Sequence, residues 1–177
     1  NIPPHNLGEV IDATIHLIDH PDATPDDLMQ FVKGPDFSTG GFILGRAGMA
    51  DAYRTGRGSV KMRAKASIEE GKRGGGYHIV VTEMPYQTSV SSVASRIQEL
   101  VDEGDLEGIS DVNDGSADGK TNLVISLKRD ANPNVVLNNL YKHTQLQTNF
   151  GVNMVALVDG VPRTLNLAGA LDGYVKH

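Results

Sequence analysis

From Ser59 to Ile68 the chain alternates with period two: Val60, Met62, Ala64, Ala66 and Ile68 point one way, and Lys61, Arg63 and Lys65 point the other. An extended strand with one buried and one wet face satisfies that pattern, so a sheet with a cationic outer face is expected. Same-face residues in a strand recur at roughly 6.5–7 Å, a spacing comparable to that of phosphates along one strand of a duplex. Just upstream, Arg54 and Arg57 flank Gly56 and Gly58 follows, so the chain can turn sharply and bring peptide N–H groups toward an anion. A solvated strand face is the commoner explanation of three alternating cations, because exposed faces of half-buried strands are usually polar.

The formal net charge of −6 argues against a polyanionic partner. Its distribution argues the other way: residues 46–73 hold eight Lys or Arg against three Asp or Glu, and the rest of the chain holds eight against nineteen. A cationic segment in an acidic body binds a polyanion on one face and repels it elsewhere. At 177 residues, 39% of them hydrophobic and 21% charged, the chain can build one good core, or a principal domain with a smaller one attached. No apolar run approaches the roughly 18–20 residues that a membrane-spanning helix needs. With no Cys there is neither a disulfide framework nor a thiolate metal site. The chain starts at Asn1 with no leader, and its final helical pattern is still running at His177, so it reads as a piece of something longer.

Asn1 to His5 is held extended by Pro3-Pro4, and Asn6 caps a helix to about Asp19 with Leu7, Val10, Ile11, Thr14, Leu17 and Ile18 on one face. Thr24-Pro25-Asp26-Asp27 opens a second helix through Leu28, Met29, Phe31 and Val32, stopped by Gly34-Pro35. Phe42-Ile43-Leu44 reads as a short buried strand, and Met49 to Arg54 as a short helix leading into the basic strand. From Tyr77 the order is strand, helix, strand, strand, helix, strand. The helices run from about Val90 to Glu103, ended by Gly104, and from Asn132-Pro133. The later strands are Ile109 to Val112, Asn122 to Lys128 and Val152 to Val158, the last turning at Asp159-Gly160 into Val161 to Leu165. The expected class is α+β: a split βαββαβ, ferredoxin-like unit at 77–158, attached to a smaller α/β region, 1–70 and 159–177, that carries the basic strand.

Chemistry of its own is not expected. No Ser elbow, Cys or His-Glu-x-x-His pattern offers a nucleophile with a base. His16, Asp19 and His20 fall within one helical turn and could ligate a divalent ion, but His near a helix C-terminus accounts for the same residues. Asp111, Asp114 and Asp118 read as a solvated turn. Gly71 to Gly76 lacks the Gly-Lys-Ser/Thr ending and leads into a strand, which excludes a nucleotide loop. An RNA-recognition module would need stacking aromatics on its central strands, where only Tyr77 is available. A small-molecule-binding regulatory domain of ferredoxin-like fold is a rival that rests on fold analogy alone.

Asn1-Ile2-Pro3-Pro4-His5-Asn6-Leu7, Gly34-Pro35-Asp36-Phe37, Tyr53-Arg54-Thr55-Gly56-Arg57-Gly58, Val136 to Lys142 and Thr144-Gln145-Leu146-Gln147-Thr148 resemble, in this order and spacing, the family of bacterial DNA gyrase A subunits, which are type II topoisomerases. The match covers nearly the whole chain and looks like the tower region of the breakage-reunion core; the corresponding subunit of topoisomerase IV shares the outline. The resemblance implies ATP-dependent passage of one duplex through a break in another and, in gyrase, negative supercoiling by an A2B2 assembly in the bacterial cytoplasm. Its partners would be double-stranded DNA, the B subunit of gyrase and a second A subunit. It places the nucleophilic Tyr upstream of Asn1, so none of the five Tyr inherits that role, and it assigns ATP and Mg2+ to the B subunit. It further implies that Ile11 is wedged between base pairs, which conflicts with the periodicity that buries Ile11, and that Arg46, Arg54, Arg57, Lys61, Arg63 and Lys65 grip the DNA backbone. Two positions depart from the family pattern: Ser38 stands where a second Pro is usual after Phe, and Asp114-Gly115 where Asp-Glu is usual.

Overall fold

The computed structural model describes residues 1–177, and the chain divides into two compact units. The first comprises residues 1–38, 43–61 and 149–177; the second, residues 39–42 and 62–148.

The second unit is built on a four-stranded antiparallel sheet of β3 (Lys65–Glu70), β4 (Tyr77–Glu83), β5 (Ile109–Asp114) and β6 (Leu123–Leu127), in the order β3-β4-β6-β5. Period-two alternation sends Ile79 and Val81 of β4, and Leu123, Ile125 and Leu127 of β6, to one face. The register sets Ile79 opposite Ile125 and Val81 opposite Leu123, so apolar pairs meet across the strands. Helix α4 (Val90–Asp102) contributes Val93, Ile97 and Leu100, and α5 (Pro133–His143) contributes Val136 and Leu140, to the same core. Asn132 caps α5 by accepting from Asn134 N–H at 3.1 Å, with Pro133 at the first helical position. Gly104, at φ 81°, ends α4 and lets Asp105 N–H reach the Leu100 carbonyl at 2.9 Å.

The α+β class holds, but the closing strand of the expected split unit is a different one. The β4-α4-β5-β6 run places β6 between β4 and β5 as the split arrangement requires; the edge beside β4 is taken by β3, and β7 (Gln147–Asn153) joins another sheet. Chain economy explains the substitution. The connection between β3 and β4 is local, closed by Gly71 N–H to the Gly76 carbonyl at 2.8 Å, whereas β7 would reach the same edge only after a long excursion. The basic strand also differs from expectation: it breaks at Ala64 into β2 (Arg57–Arg63) and β3, which belong to different sheets. Ala64 is fully buried, and its N–H turns to the Leu146 carbonyl at 2.8 Å. The phase of the alternation survives the break, with Val60, Met62 and Ala64 all buried.

The first unit contains α1 (Leu7–Asp19), α2 (Pro25–Leu28), α3 (Ala47–Thr55), α6 (Leu167–Lys176) and most of a three-stranded sheet in the order β1-β2-β7, with β1 spanning Phe42–Leu44. Asn6 caps α1 by accepting from Glu9 N–H at 3.1 Å. Thr24 and Asp27 form a reciprocal capping box on α2, which is shorter than its sequence pattern and passes through turns to the buried Val32. The buried residues of α1 are Ala13 and Leu17, while Leu7, Ile11 and Ile18, expected inside, are exposed. Helical periodicity located an apolar stripe, but α1 packs against α2 and α6, and the face it turns to them is the one bearing the small Ala13. Phe42 and Ile43 of β1, read as a buried strand, are also exposed.

The N-terminal segment is fixed by a half-buried polar relay. His5 Nδ1–H donates to the Pro3 carbonyl at 2.8 Å, and Nε2 lies 2.7 Å from the Tyr53 hydroxyl, which donates to it while the imidazole is neutral. Burial lowers the His5 pKa from its ordinary 6.5, outweighing the Pro3 carbonyl and Glu9, which raise it. The unfolded chain therefore binds the proton more tightly. The stabilisation from a neutral His5 is present above about pH 6.5 and is lost as pH falls through the lowered folded-state value. Urea midpoints measured between about pH 5 and pH 8 should show this loss in the parent chain and less of it in His5→Gln; parallel profiles would contradict the relay.

Candidate nucleic-acid interface

Helix α3 and strand β2 lie backbone to backbone because the contact is glycine on both sides. A Cβ on Gly48 would fall on the Ser59 carbonyl oxygen; one on Gly58 would fall on the Gly48 carbonyl oxygen and within 2.9 Å of Ala52 N. Gly56, in the left-handed region at φ 83°, ends α3 and turns the chain directly into β2. This joint positions four of the sequence-predicted cations in the first unit: Arg46 and Arg54 at the two ends of α3, Arg57 and Lys61 on the outward face of β2.

Their surroundings differ. Arg57 and Lys61 are exposed, four residues apart on one strand face and so roughly 13 Å from one another. Arg46 is exposed at the start of α3, on the rim of a groove whose walls include Met29, Ile43 and Met49. None of these three makes an ion pair. Arg54 borders the same groove, and its Nε lies 2.8 Å from Asp26 Oδ1, with both side chains more than half exposed. Such a pair contributes at most about 1 kcal/mol and yields readily to a stronger anion.

The remaining two predicted cations lie in the second unit. Lys65 is exposed at the start of β3. Arg63 is half-buried: its Nε and Nη2 donate to Gln147 Oε1 at 3.0 and 2.6 Å, and its guanidinium stands 4.2 Å from the Tyr141 ring centre. It is an internal tie between β2, β7 and α5. Arg63→Ala should lower stability by about 1–2 kcal/mol and leave the salt dependence of DNA binding unchanged; a flatter salt dependence would return Arg63 to the phosphate-binding set.

Ile11 is 47% exposed, but Leu7, Ile15 and Ile18 are 72%, 53% and 56% exposed on the same helix. Exposure does not single Ile11 out; it belongs to an apolar stripe at i, i+4, i+8 spacing. Two of the five tyrosines are held against ionisation. Tyr53 is 1% exposed and its pKa is raised by burial, and Tyr141, also raised by burial, lies under Arg63. His16 stacks on His20 at 4.4 Å and meets Phe31 in a tilted contact at 4.9 Å, and no group of three His, Asp or Glu is assembled that could hold a metal ion. No helix is long and apolar enough to cross a membrane.

The family model that describes the A subunit of DNA gyrase/topoisomerase IV matches residues 1–177. The chain belongs to that family. Relatives named as the A subunit of DNA gyrase include those of Pseudomonas aeruginosa, 54% identical over 178 residues, Staphylococcus epidermidis, 51% over 179, and Clostridium acetobutylicum, 50% over 176. These matches cover 99–100% of this chain but 19–21% of each relative, so the chain spans about a fifth of the length of these gyrase proteins. Sequence reasoning found Lys61, Arg63 and Lys65 from their alternation and Arg54 and Arg57 from the glycines beside them, while Arg46 came from the family resemblance. It missed the Gly48–Gly58 joint that sets Arg46, Arg54, Arg57 and Lys61; its only sequence signal is a glycine in the first turn of a helix and another inside the next strand.

Proposed function

We propose that this chain is the DNA-binding and DNA-bending tower segment of a gyrase-type A subunit, gripping the phosphate backbone of the cleaved duplex without reading its sequence. The observation that carries this reading is the set Arg46, Arg57 and Lys61: three exposed cations free of carboxylates, on two elements locked together by glycine contacts, in a chain of net charge −6. Arg54 joins them when phosphate displaces Asp26, and Lys65 is a further exposed cation available to the backbone. In the intact protein this grip serves ATP-dependent double-strand passage and negative supercoiling in the bacterial cytoplasm, where its partners are the B subunit of gyrase and a second A subunit. ATP and Mg2+ are used through the B subunit of the intact enzyme. The family match favours this reading over a metabolite-binding regulatory domain.

Fluorescence anisotropy with a duplex of about 40 base pairs tests it: binding that weakens steeply between about 50 mM and about 200 mM salt, and is indifferent to sequence, supports the assignment. A metabolite that raises the melting temperature where DNA has no effect would support the regulatory reading instead.

A further inference from the structure

Helix α3, the turns that follow α2 and the end of strand β1 enclose an open groove of about 540 Å³ in the first unit. Its interior is apolar. Met49 and Tyr53, at 5% and 1% exposure, form a buried floor, and Met29 and Pro35 stand beside them. Ile43, on the edge strand of its sheet, adds an apolar side chain that is 37% exposed.

The rim carries charge of mostly one sign. Lys33, Arg46 and Arg54 border the groove against a single carboxylate, Asp26, which leaves a local formal charge of +2 in a chain of net charge −6. Lys33 and Arg46 make no ion pair. Asp26 engages only Nε of Arg54, at 2.8 Å, so both terminal nitrogens of that guanidinium are available to a second anion. A duplex accounts for this rim but not for the interior. Its phosphates can meet the guanidinium groups, but its apolar base faces are stacked inside the double helix, out of reach of Ile43 and Met49. A small molecule with an apolar body and one anionic end satisfies both parts, and the groove falls within the roughly 300–1,000 Å³ typical of small-ligand sites.

We propose that this groove binds a small amphipathic anion, a carboxylate or sulfonate carried on one or two rings, and that such a ligand and duplex DNA exclude one another. The apolar body lies against Ile43 and Met49, and the charge meets Arg46 and Arg54. The binding site stands on the groove alone. The exclusion rests on the DNA grip, because Arg46 and Arg54 are shared.

The probe is anilinonaphthalene sulfonate, whose fluorescence rises as it leaves water, measured beside its neutral counterpart phenylnaphthylamine. The chain should show a saturable sulfonate component with a Kd on the order of tens of micromolar. Arg46→Ala should weaken that component by about three- to tenfold without affecting the neutral dye, whereas Ile43→Ser should weaken both dyes by about the same factor. Ile11→Ser, on the exposed stripe of α1, should leave the Arg46-sensitive component unchanged. Melting curves confirm that these exposed substitutions leave the fold intact. A saturating duplex of about 40 base pairs should displace the sulfonate at low salt and fail to do so at high salt, where the duplex itself is released. Sulfonate binding that is the same in the parent, Arg46→Ala and Ile43→Ser, or that is lost in Ile11→Ser instead, overturns the site. Sulfonate retained on a chain that anisotropy shows to be saturated with duplex overturns the exclusion and leaves the grip standing. A chain that binds the sulfonate but no duplex overturns the grip, and the exclusion with it, and leaves the site standing. In the full-length protein the difference between parent and Ile43→Ser should persist; its loss there would mean that another part of the protein covers the groove, which overturns the site.

Discussion

Replacing Arg46, Arg57 and Lys61 together with Ala should lower the slope of log K against log salt for duplex binding by about 2.7, at roughly 0.9 per lost phosphate contact. Over a change from about 50 mM to about 200 mM salt, that difference amounts to roughly 40-fold less loss of affinity for the variant than for the parent. Each of the three is exposed and unpaired, so their removal leaves no buried group unsatisfied and the melting temperature should hardly move. Arg63→Ala is the matched control, because its guanidinium is occupied by Gln147 and Tyr141. Asp26→Asn should act in the opposite direction, freeing Arg54 and raising affinity at low salt by a few-fold at most, since the pair it breaks is solvent-exposed. Titrations by anisotropy at four or more salt concentrations separate these outcomes, and a triple variant with the parent's slope would remove these residues from the interface.

Gly48→Ala should destabilise the chain by about 3 kcal/mol, and Gly58→Ala similarly, at the upper end of what overpacking costs. The collision in each case is with backbone, not with the end of a flexible side chain: Ser59 O for Gly48, Gly48 O and Ala52 N for Gly58. Relief would require α3 to lift from β2, but Ala52 and Tyr53 of α3 and Val60 of β2 are buried at 2% exposure or less. For a chain of this size the loss corresponds to a fall in melting temperature of roughly 6–12 °C. It should bring weaker DNA binding at temperatures where the fold survives, because Arg46, Arg57 and Lys61 are set by this joint. Gly151→Ala gives the contrast: no atom lies within 4 Å of the added Cβ, so it should be neutral or stabilise by up to about 1 kcal/mol. Circular dichroism melts of the three variants decide the matter; Gly48→Ala melting with the parent would refute the close approach.

What the sequence makes legible is mostly local. Asn6, Thr24, Ser89, Asn132 and Asn166 each cap the helix that follows, and Asp159-Gly160 turns a hairpin, because these residues act on neighbours within four positions. The burial phase of residues 60–64 was likewise readable, since alternation is a property of the strand itself. What escaped depends on partners distant in the chain. Nothing in the period of α1 says that its neighbours cover Ala13 rather than Ile11. The edge beside β4 could accept either β3 or β7, and only closure length favours β3. The same limit applies to the site. Arg57 and Lys61 are outward because of alternation, but Arg63, in phase with them, is drawn inward by Gln147, 84 residues away, and Arg54 is paired with Asp26, 28 residues away. The turn at Asp159-Gly160 was legible, whereas the exposure of Leu157 and Pro162 was not, because an apolar strand ordinarily finds a partner.

Lysine acetylation with and without duplex DNA tests the grip at one atom. In low salt, Lys61 Nζ should be protected by saturating DNA and released at high salt, while the exposed Lys128 and Lys142 of the second unit react equally in both conditions. Equal modification of Lys61 in the presence and absence of bound DNA would contradict a duplex seated on β2.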